Sequence, residues 1–301
     1  MKKILIFGGT SFVGKHFERS FKGEYIVKSY GRNVDVRKKD NVINKVKNFE
    51  PDIVINMASV PTIRDSFKDP NLTYDVSFHG TDNILSSLAD VGFNGKFLYI
   101  SSSEVYGDSC PKEGGISEFM HTSPESPYAV AKLSAESLCK YYANMTPFSV
   151  NVARPFNHIG PEQTERFAVS NFAKQLVEIY YGIRGPVLNI GNLDVYRDFT
   201  DVRDVVEAYR LIVESGVNGK TYNICSGSSL TLESVLCLLI KKVGIDPKIE
   251  IDNKILRDNE KLYVRGSNKL ILDELGWSPK ISLDRTISDI VDSWKSILKK
   301  S

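Results

Sequence analysis

The 301-residue sequence predicts an α/β fold in which helices cover both faces of a doubly wound parallel sheet. Three observations support this prediction. Apolar strand segments alternate with helical segments through about residue 155, a glycine-rich turn follows the first strand, and the candidate site residues fall where strands end. In such a sheet a ligand binds in the crevice at the carboxyl ends of the strands. The candidate strand ends are Gly8, Ala58, Ser101 and Arg154.

The first strand and the turn after it have the pattern of a dinucleotide site. Residues 2–7 form a short apolar run, Gly8–Gly14 reads Gly-Gly-Thr-Ser-Phe-Val-Gly, and the next segment has helical periodicity. Gly8 permits a tight turn, Gly14 allows close helix packing, and the helix N-terminus attracts a pyrophosphate. Ser11 replaces the middle glycine, and its hydroxyl would either donate to a phosphate or crowd one. The expected cofactor-binding residues of this turn are Gly8, Thr10, Ser11, Phe12, Val13 and Gly14.

The second strand, predicted over Tyr25–Tyr30, indicates which dinucleotide is bound. A site that prefers NAD places Asp or Glu near the end of this strand, but this chain reads Gly-Arg-Asn at 31–33. A cation suits a 2′-phosphate better, so we expect NADP(H), with Arg32 as its main contact. A solvated surface arginine is the alternative. Asp35 and Val36 would lie along the adenine edge.

The remaining pattern divides the chain into two parts. We predict a Rossmann-type, NADP(H)-binding domain over residues 1–155 that carries the catalytic residues. A smaller α/β substrate domain is predicted over 156–301, partly interleaved with the first. Further strands are predicted at 51–57, 96–101, 148–153, 187–190, 221–224 and 249–251, and helices at 72–88, 127–142, 167–181, 202–215, 231–243 and 284–299.

The segment from Tyr128 to Lys132 carries the chemistry. Helical spacing of four puts the phenol and the ammonium on one face, one turn apart. We expect the ammonium to lower the pKa of Tyr128 from about 10 toward neutrality. A hydroxyl such as Ser102 could then hold a carbonyl oxygen beside that phenol. With a hydride carrier, these groups would interconvert an alcohol and a ketone, although a Tyr-x-x-x-Lys spacing alone is common.

Composition excludes other classes of protein. A formal net charge of +2 favours neither nucleic acid nor membrane binding. The four widely spaced cysteines form no metal pattern, so we expect no metal site and free thiols in a reducing cytosol. No apolar run approaches the length of a membrane span, and no apolar leader precedes the first strand, which predicts a cytoplasmic protein.

Five blocks in order give the chain a family resemblance. It resembles the extended short-chain dehydrogenase/reductase superfamily, also called the NAD-dependent epimerase/dehydratase superfamily. Within it, the chain looks most like the GDP-4-keto-6-deoxy-D-mannose reductases, because of the run Arg-Pro-Phe-Asn-His-Ile-Gly-Pro with Gln163. The five blocks are Gly8–Gly14, Ser101–Gly107, Tyr128–Lys132, Arg154–Pro161 and Arg197–Val202.

The resemblance implies NADPH-dependent reduction of the C4 ketone of a nucleotide-linked 4-keto-6-deoxyhexose, with GDP favoured. Tyr128 would be the proton donor, Lys132 would lower its pKa and hold the nicotinamide ribose, and Ser102 would bind the C4 carbonyl. Glu104 is a further candidate catalytic residue, because dehydratases of this scaffold use such a glutamate to abstract the C5 proton. Ala58 and Pro155 are added to the expected cofactor-binding residues.

The resemblance also implies substrate contacts and an assembly. Asn157 and Ser103 would contact the nucleotide sugar, and Arg197 and Arg257 would neutralise its diphosphate. An ion pair with Asp201 or Asp204 is the alternative for Arg197. In the family, the helices near 72–90 and 127–143 pair across a homodimer. Leu133, Leu138 and Tyr141 could supply its apolar surface.

Rival functions stay open at this stage. A nucleotide-sugar 4-epimerase or 4,6-dehydratase could use the same scaffold, and an NADPH-sensing regulatory protein could retain the fold without catalysis. The chain departs from the family pattern at Ser11, at Ser77 where an asparagine is usual, and at Asp258 where a proline is common. These departures bear on cofactor affinity and on the nucleotide, but not on the fold.

Overall fold

A computed structural model describes residues 1–111, 113–252 and 261–299 of the chain. The strands are β1 (Lys3–Phe7), β2 (Ile26–Tyr30), β3 (Ile53–Asn56), β4 (Lys96–Ile100), β5 (Ser149–Pro155), β6 (Asn157–Ile159), β7 (Val187–Ile190), β8 (Tyr196–Arg197), β9 (Phe199–Asp201), β10 (Thr221–Ile224), β11 (Leu230–Thr231) and β12 (Lys248–Ile251). The helices are α1 (Phe12–Ser20), α2 (Lys39–Phe49), α3 (Ile63–Lys68), α4 (Pro70–Tyr74), α5 (Gly80–Asp90), α6 (Pro127–Met145), α7 (Ala168–Tyr180), α8 (Val202–Ser215), α9 (Leu232–Val243), α10 (Lys269–Leu275) and α11 (Leu283–Leu298).

Six parallel strands form the central sheet, in the order β10-β5-β4-β3-β1-β2. β1 lies between β2 and β3, so the strand order reverses at β1 and the crevice opens at its carboxyl end. This arrangement confirms the predicted doubly wound α/β fold. The sixth strand comes from the second half of the chain, since Thr221–Ile224 pairs with Val152–Pro155.

Two apolar layers enclose the sheet because successive side chains of a strand point to opposite faces. Leu5 and Phe7 of β1 face one layer, which α2, α5 and α6 complete. Ile4 and Ile6 face the other layer, together with residues of α1, α8 and α10. Both layers are therefore built from one alternating strand pattern, as expected when helices cover each face of a parallel sheet.

A separate apolar cluster joins α7, α9 and α11, with Leu176, Leu236 and Ile290 at its centre. Around it lie three short strand pairs, β6–β9 and β7–β12, which are parallel, and β8–β11, which is antiparallel. β6 follows the carboxyl end of β5 after one residue and pairs with β9, which follows β8 after one residue. We call β6, β8 and β9 the second wall of the crevice.

Several boundaries differ from the sequence prediction. The predicted helix over 72–88 consists of α4, a π-helical turn at Asp75–His79, and α5. The first helix starts at Phe12 rather than Lys15, because the Ser11 side chain caps it. The helices α2, α3 and α10 are not among those predicted from the sequence. Among the described helices, none has both the length and the apolar character needed to cross a membrane.

Candidate active site

The glycine-rich turn is closely packed at the end of β1. Gly8 has φ +80°, and a Cβ there would lie 2.6 Å from the amide nitrogen of Ala58. A Cβ on Gly14 would lie 2.2 Å from the carbonyl oxygen of Gly9. Ser11 Oγ accepts from the amide of Gly14 at 3.2 Å and so caps α1. The amides of Phe12 and Val13 come before this capped position, have no intrahelical acceptor and remain available to an anion, so the turn fits a pyrophosphate.

The end of β2 has no room for a larger side chain at position 31. A Cβ on Gly31 would lie 2.1 Å from Thr10 Oγ1, so the two cofactor-side loops touch there. Arg32 is exposed beside this contact. Asp35 instead forms an ion pair with Arg37 at 2.8 Å, and hydrogen bonding from Arg37 lowers the pKa of Asp35. This carboxylate is therefore already paired, whereas Arg32 is exposed just after the end of β2.

Tyr128 and Ser102 come together across the crevice. Ser126 Oγ accepts from the amide of Ala129 at 3.1 Å and starts α6, with Pro127 at its first position. This cap places Tyr128 on the first turn of the helix. Ser102 caps the 3₁₀ turn that follows β4, and its side chain interacts with the Tyr128 hydroxyl.

Ser59 also hydrogen-bonds the Tyr128 hydroxyl, and its own Oγ lies 3.3 Å from Ser77 Oγ. Sequence reasoning did not name Ser59, although it directly follows the predicted cofactor residue Ala58. Ser77 lies buried in the π-helical turn, a feature that often occurs at functional sites. Tyr128 therefore faces two serine hydroxyls rather than one.

Lys132 lies on the same helix face but aims its ammonium elsewhere. Its Nζ donates to the carbonyl oxygen of Ile100 at 2.7 Å and lies 5.7 Å from the Tyr128 ring centroid. A second ring, that of Tyr99, lies 5.0 Å away. Burial lowers the pKa of Lys132 to about 7, against the attraction of Glu136. Its charge is therefore poorly solvated in the crevice.

The expected lowering of the Tyr128 pKa by Lys132 is wrong for this structure. Burial raises the pKa of Tyr128 to about 12; hydrogen bonds from Ser102 and Ser59 oppose this, and the charge of Glu104 adds to it. Spacing of four brings the two side chains to one face, but it does not set which atom the ammonium contacts. The phenol therefore keeps its proton at neutral pH, as a proton donor requires.

Glu104 is held by a lysine that sequence reasoning did not identify. Lys261 Nζ lies 2.8 Å from Glu104 Oε2, although the two residues are 157 positions apart in the chain. The Lys261 side chain is 15% exposed and that of Glu104 is 32% exposed, so the pair is only partly shielded from water. Nothing in the local sequence around Lys261 indicates this contact, because it depends on how a distant segment crosses the crevice.

A buried network of charged and polar side chains lies next to this site. Arg154 donates to Glu136 Oε1 at 3.0 Å and to the Tyr106 hydroxyl at 2.8 Å. The hydroxyl of Ser101 donates to the same carboxylate of Glu136. Glu136 stands four residues after Lys132, so the spacing could have identified it as a neighbour. The network therefore joins β4, β5 and α6 next to Ser102.

The expected substrate residues lie along the second wall of the crevice. Asn157 begins β6 and is exposed, and it pairs in register with Phe199 of β9. Arg197 donates to the carbonyl oxygens of Tyr196 and Lys261 at 2.9 and 2.7 Å. Ser103 begins the 3₁₀ turn. Arg257 and Asp258 lie outside the described residues.

The alternative interpretation of Arg197 is an ion pair with Asp201 or Asp204. Asp201 forms its pair with Arg203 at 2.7 Å, and Asp204 accepts from the amides of Lys280 and Ile281. Both carboxylates are thus engaged by other groups.

A cavity of about 300 Å³ lies between Arg197 and the 279–283 loop, but neither Ser102 nor Tyr128 lines it. Pro155 ends β5 and is buried at the floor of the crevice.

The described residues contain no cluster of side chains suited to a metal ion. The Tyr128 phenol and the Ser102 hydroxyl lie together at the carboxyl end of β4, an arrangement that suits proton transfer to a carbonyl oxygen.

Comparisons with known proteins agree with this geometry. The GDP-6-deoxy-D-mannose reductase of Pseudomonas aeruginosa is 34% identical over 302 residues, covering 99% of each chain. A solved structure of RMD from Pseudomonas aeruginosa, complexed with NADPH, superposes with a TM-score of 0.93 and 34% identity over 99% of this chain and 100% of that one. GDP-mannose 4,6 dehydratase 1 of Arabidopsis thaliana is 27% identical over 83% of this chain and 70% of its own length.

The family model described as GDP-mannose 4,6 dehydratase matches residues 14–290. This range extends from the glycine-rich turn to α11 and includes both walls of the crevice. The resemblance inferred from five short blocks is thereby confirmed over most of the chain. The chain belongs to the GDP-mannose 4,6-dehydratase family of extended short-chain dehydrogenases/reductases.

Proposed function

We propose that the protein is an NADPH-dependent reductase of the C4 ketone of a nucleotide-linked 4-keto-6-deoxyhexose, with a GDP-linked sugar favoured. The observation that carries the proposal is the meeting of the Tyr128 and Ser102 hydroxyls at the carboxyl end of β4, beside the glycine-rich turn of β1. The near full-length similarity to the Pseudomonas reductase supports the choice of substrate. The NADPH in the similar solved structure supports the choice of cofactor.

The turn at Gly8–Gly14 would hold the pyrophosphate of the cofactor through the first amides of α1. Arg32 would contact the 2′-phosphate, since its guanidinium is exposed at the end of β2 and suits a phosphate. Val36 would pack against the adenine, and Lys132 would hold the ribose next to the nicotinamide. When bound, NADPH supplies a hydride to the sugar C4.

The protein's own part in the reaction is to place and move a proton. Ser102 would hydrogen-bond the C4 carbonyl oxygen and align it with the phenol. Tyr128 would donate its proton to that oxygen as negative charge develops there. A pKa raised to about 12 keeps the phenol protonated before the transfer. A positioned proton donor of this kind contributes roughly 10²–10⁴-fold to the rate.

The diphosphate would lie against the second wall. Asn157 of β6 pairs with Phe199 of β9, and Phe199 stands two positions after Arg197 of β8 in the chain. An arginine fork recognises phosphate oxygens in a fixed geometry. This placement supports a nucleoside diphosphate at the end of the substrate away from the reacting sugar carbon. The guanine base is supported by the named relatives alone.

The experiment is reduction of purified GDP-4-keto-6-deoxy-D-mannose with NADPH, followed at the absorbance of reduced nicotinamide. One NADPH consumed per sugar is the expected result, with slower reaction for NADH and for the dTDP-linked analogue. Sugar isomerisation without loss of NADPH would identify an epimerase instead. Loss of water from GDP-mannose would identify a dehydratase, and NADPH binding without turnover of any sugar would identify a sensor.

We further propose a cytoplasmic homodimer. Tyr141 and Met145 of α6 are exposed apolar side chains, and Leu133 and Leu138 of the same helix are partly exposed. Such surface suits a second copy of the helix pair. Light scattering should give twice the monomer mass, and Tyr141→Glu should give the monomer mass. The described cysteines are all free thiols, which suits a reducing compartment.

A further inference from the structure

Lys261 enters the catalytic centre from a segment far away in sequence. Its ammonium contacts Glu104 at 2.8 Å, and Glu104 belongs to the same 3₁₀ turn that Ser102 caps. The amide of Glu104 donates to Ser102 Oγ at 3.2 Å. Glu104 thus links Lys261 to the hydroxyl of Ser102, which is proposed to hold the substrate carbonyl. The ion pair is therefore part of the catalytic turn rather than of the outer surface.

Hydrogen bonds to β8 and to the loop around residue 116 fix the segment that starts at Lys261. The amide of Tyr196 donates to the carbonyl of Leu262 at 2.7 Å, and Arg197 donates to the carbonyl of Lys261 itself at 2.7 Å. Further along, the amide of Ile116 donates to the carbonyl of Arg265 at 2.8 Å. The segment is fixed between β8 and the loop around residue 116, so the lysine is presented by a defined backbone.

Glu104 bears on the proton donor through its charge. Its negative charge disfavours the phenolate of Tyr128, the species that remains after the proton is given away. Hydrogen bonds from Ser102 and Ser59 lower the pKa of Tyr128, but neither group carries a charge that would cancel that of Glu104. The ammonium of Lys132 donates to the carbonyl oxygen of Ile100. The nearest described cation in contact with Glu104 is Lys261.

We infer that Lys261 is a positioning residue of the reductase: it neutralises Glu104, so that Tyr128 gives up its proton beside a neutral pair rather than an isolated carboxylate. This inference rests on the proposed function. Oε2 of Glu104 is occupied by the ammonium.

The same contacts connect charge neutralisation to the substrate side of the crevice. Arg197, proposed to face the diphosphate, holds the carbonyl of the residue whose side chain neutralises Glu104. A lysine that served merely to brace this segment would act through its backbone and its aliphatic stem. A lysine that acts through Glu104 requires its positive charge. The two roles therefore give different results when either charge is removed.

The test is a double-mutant cycle on Lys261→Met and Glu104→Gln, with steady-state kinetics in NADPH and the nucleotide sugar. Lys261→Met should lower kcat on the order of tenfold, because one unpaired charge then faces the proton donor, and should leave KM nearly unchanged. On the Glu104→Gln background the same substitution should change kcat by less than about twofold. Lys261→Arg should restore most of the rate, since the cation returns.

Two measurements keep the outcomes distinct. Lys269→Met removes an exposed ion pair with the same 2.8 Å separation and should leave kcat unchanged. NADPH titration by fluorescence checks that each variant is folded. Equal losses from Lys261→Met on both backgrounds, or a loss confined to KM, would overturn the inference while leaving the reductase assignment intact. Failure of the unmodified protein to oxidise NADPH with any 4-keto sugar would instead overturn the proposed function.

Discussion

Replacing Glu136 by glutamine tests whether the buried charge network holds the catalytic elements together. The change keeps the side-chain shape and removes one charge. Arg154 then stays in the interior without its counter-ion, because arginine does not give up its proton in a protein. The Ser101 hydroxyl also loses a charged acceptor one residue before Ser102. The perturbation therefore affects both the stability of the fold and the alignment of the carbonyl-binding hydroxyl.

The expected magnitude follows from burial. The side chains of Glu136 and Arg154 are each 8% exposed, and Arg154 meets both carboxylate oxygens. Removing one partner of such a pair lowers the free energy of unfolding by about 3–5 kcal/mol. Replacing both residues, as in Glu136→Leu with Arg154→Met, removes the stranded charge and should lose less than the single change. kcat should fall in Glu136→Gln because Ser102 is less well held.

Urea denaturation followed by far-ultraviolet circular dichroism measures the free energy of unfolding, and NADPH oxidation measures kcat. Glu207→Gln is the matched control, because it removes a charge from a partly exposed pair with Arg210 and should lower the free energy of unfolding by less than about 1 kcal/mol. A loss below about 1 kcal/mol for Glu136→Gln would refute the reasoning, since an uncompensated interior arginine is then tolerated. A double replacement less stable than the single one would refute it as well.

Three other predictions concern the donor, the lysine and the turn. Tyr128→Phe should lower kcat by about 10²–10⁴-fold and leave NADPH affinity in fluorescence titration nearly unchanged, and normal turnover would exclude Tyr128 as the donor. Burial lowers the pKa of Lys132 to about 7. The unfolded chain then binds more protons between about pH 7 and pH 10, so stability should rise with pH there, by at most about 1.4 kcal/mol per unit; Lys132→Met should flatten this rise in urea denaturation. Gly14→Ala would place a Cβ 2.2 Å from the Gly9 carbonyl and should weaken NADPH binding and lower the free energy of unfolding by about 1–3 kcal/mol, whereas Gly185→Ala, in open space, should change neither.

Elements with a strong local pattern were predictable from the sequence. The strands β7 and β10 and the helix α8 lie at the predicted positions, because their apolar residues have a clear period and their ends carry turn residues or caps. The glycine-rich turn was predictable for the same reason, since strand, turn and helix are contiguous. The π-helical turn at Asp75–His79 was not, because one extra residue in a helix barely changes its apolar pattern.

Contacts between distant segments could not be predicted from local sequence patterns. Neither the pairing of Lys261 with Glu104 nor that of Glu136 with Arg154 can be read from spacing, since each joins elements that meet only when the sheet is assembled. The pKa of Tyr128 shows the same limit. Helical spacing correctly put Lys132 on its face, but burial and the carbonyl of Ile100 decided where the ammonium points.

The order of residues along this chain determined its layered α/β architecture, its glycine-rich turn and the identity of the side chains proposed for proton transfer. These depend on periodicity and on short contiguous motifs, which act over one or two turns of backbone. Tertiary structure alone decided which charges are paired, which hydroxyls surround the phenol and how strongly it holds its proton. Those properties depend on distance and on exclusion of water, and both arise when segments more than a hundred residues apart pack around one crevice.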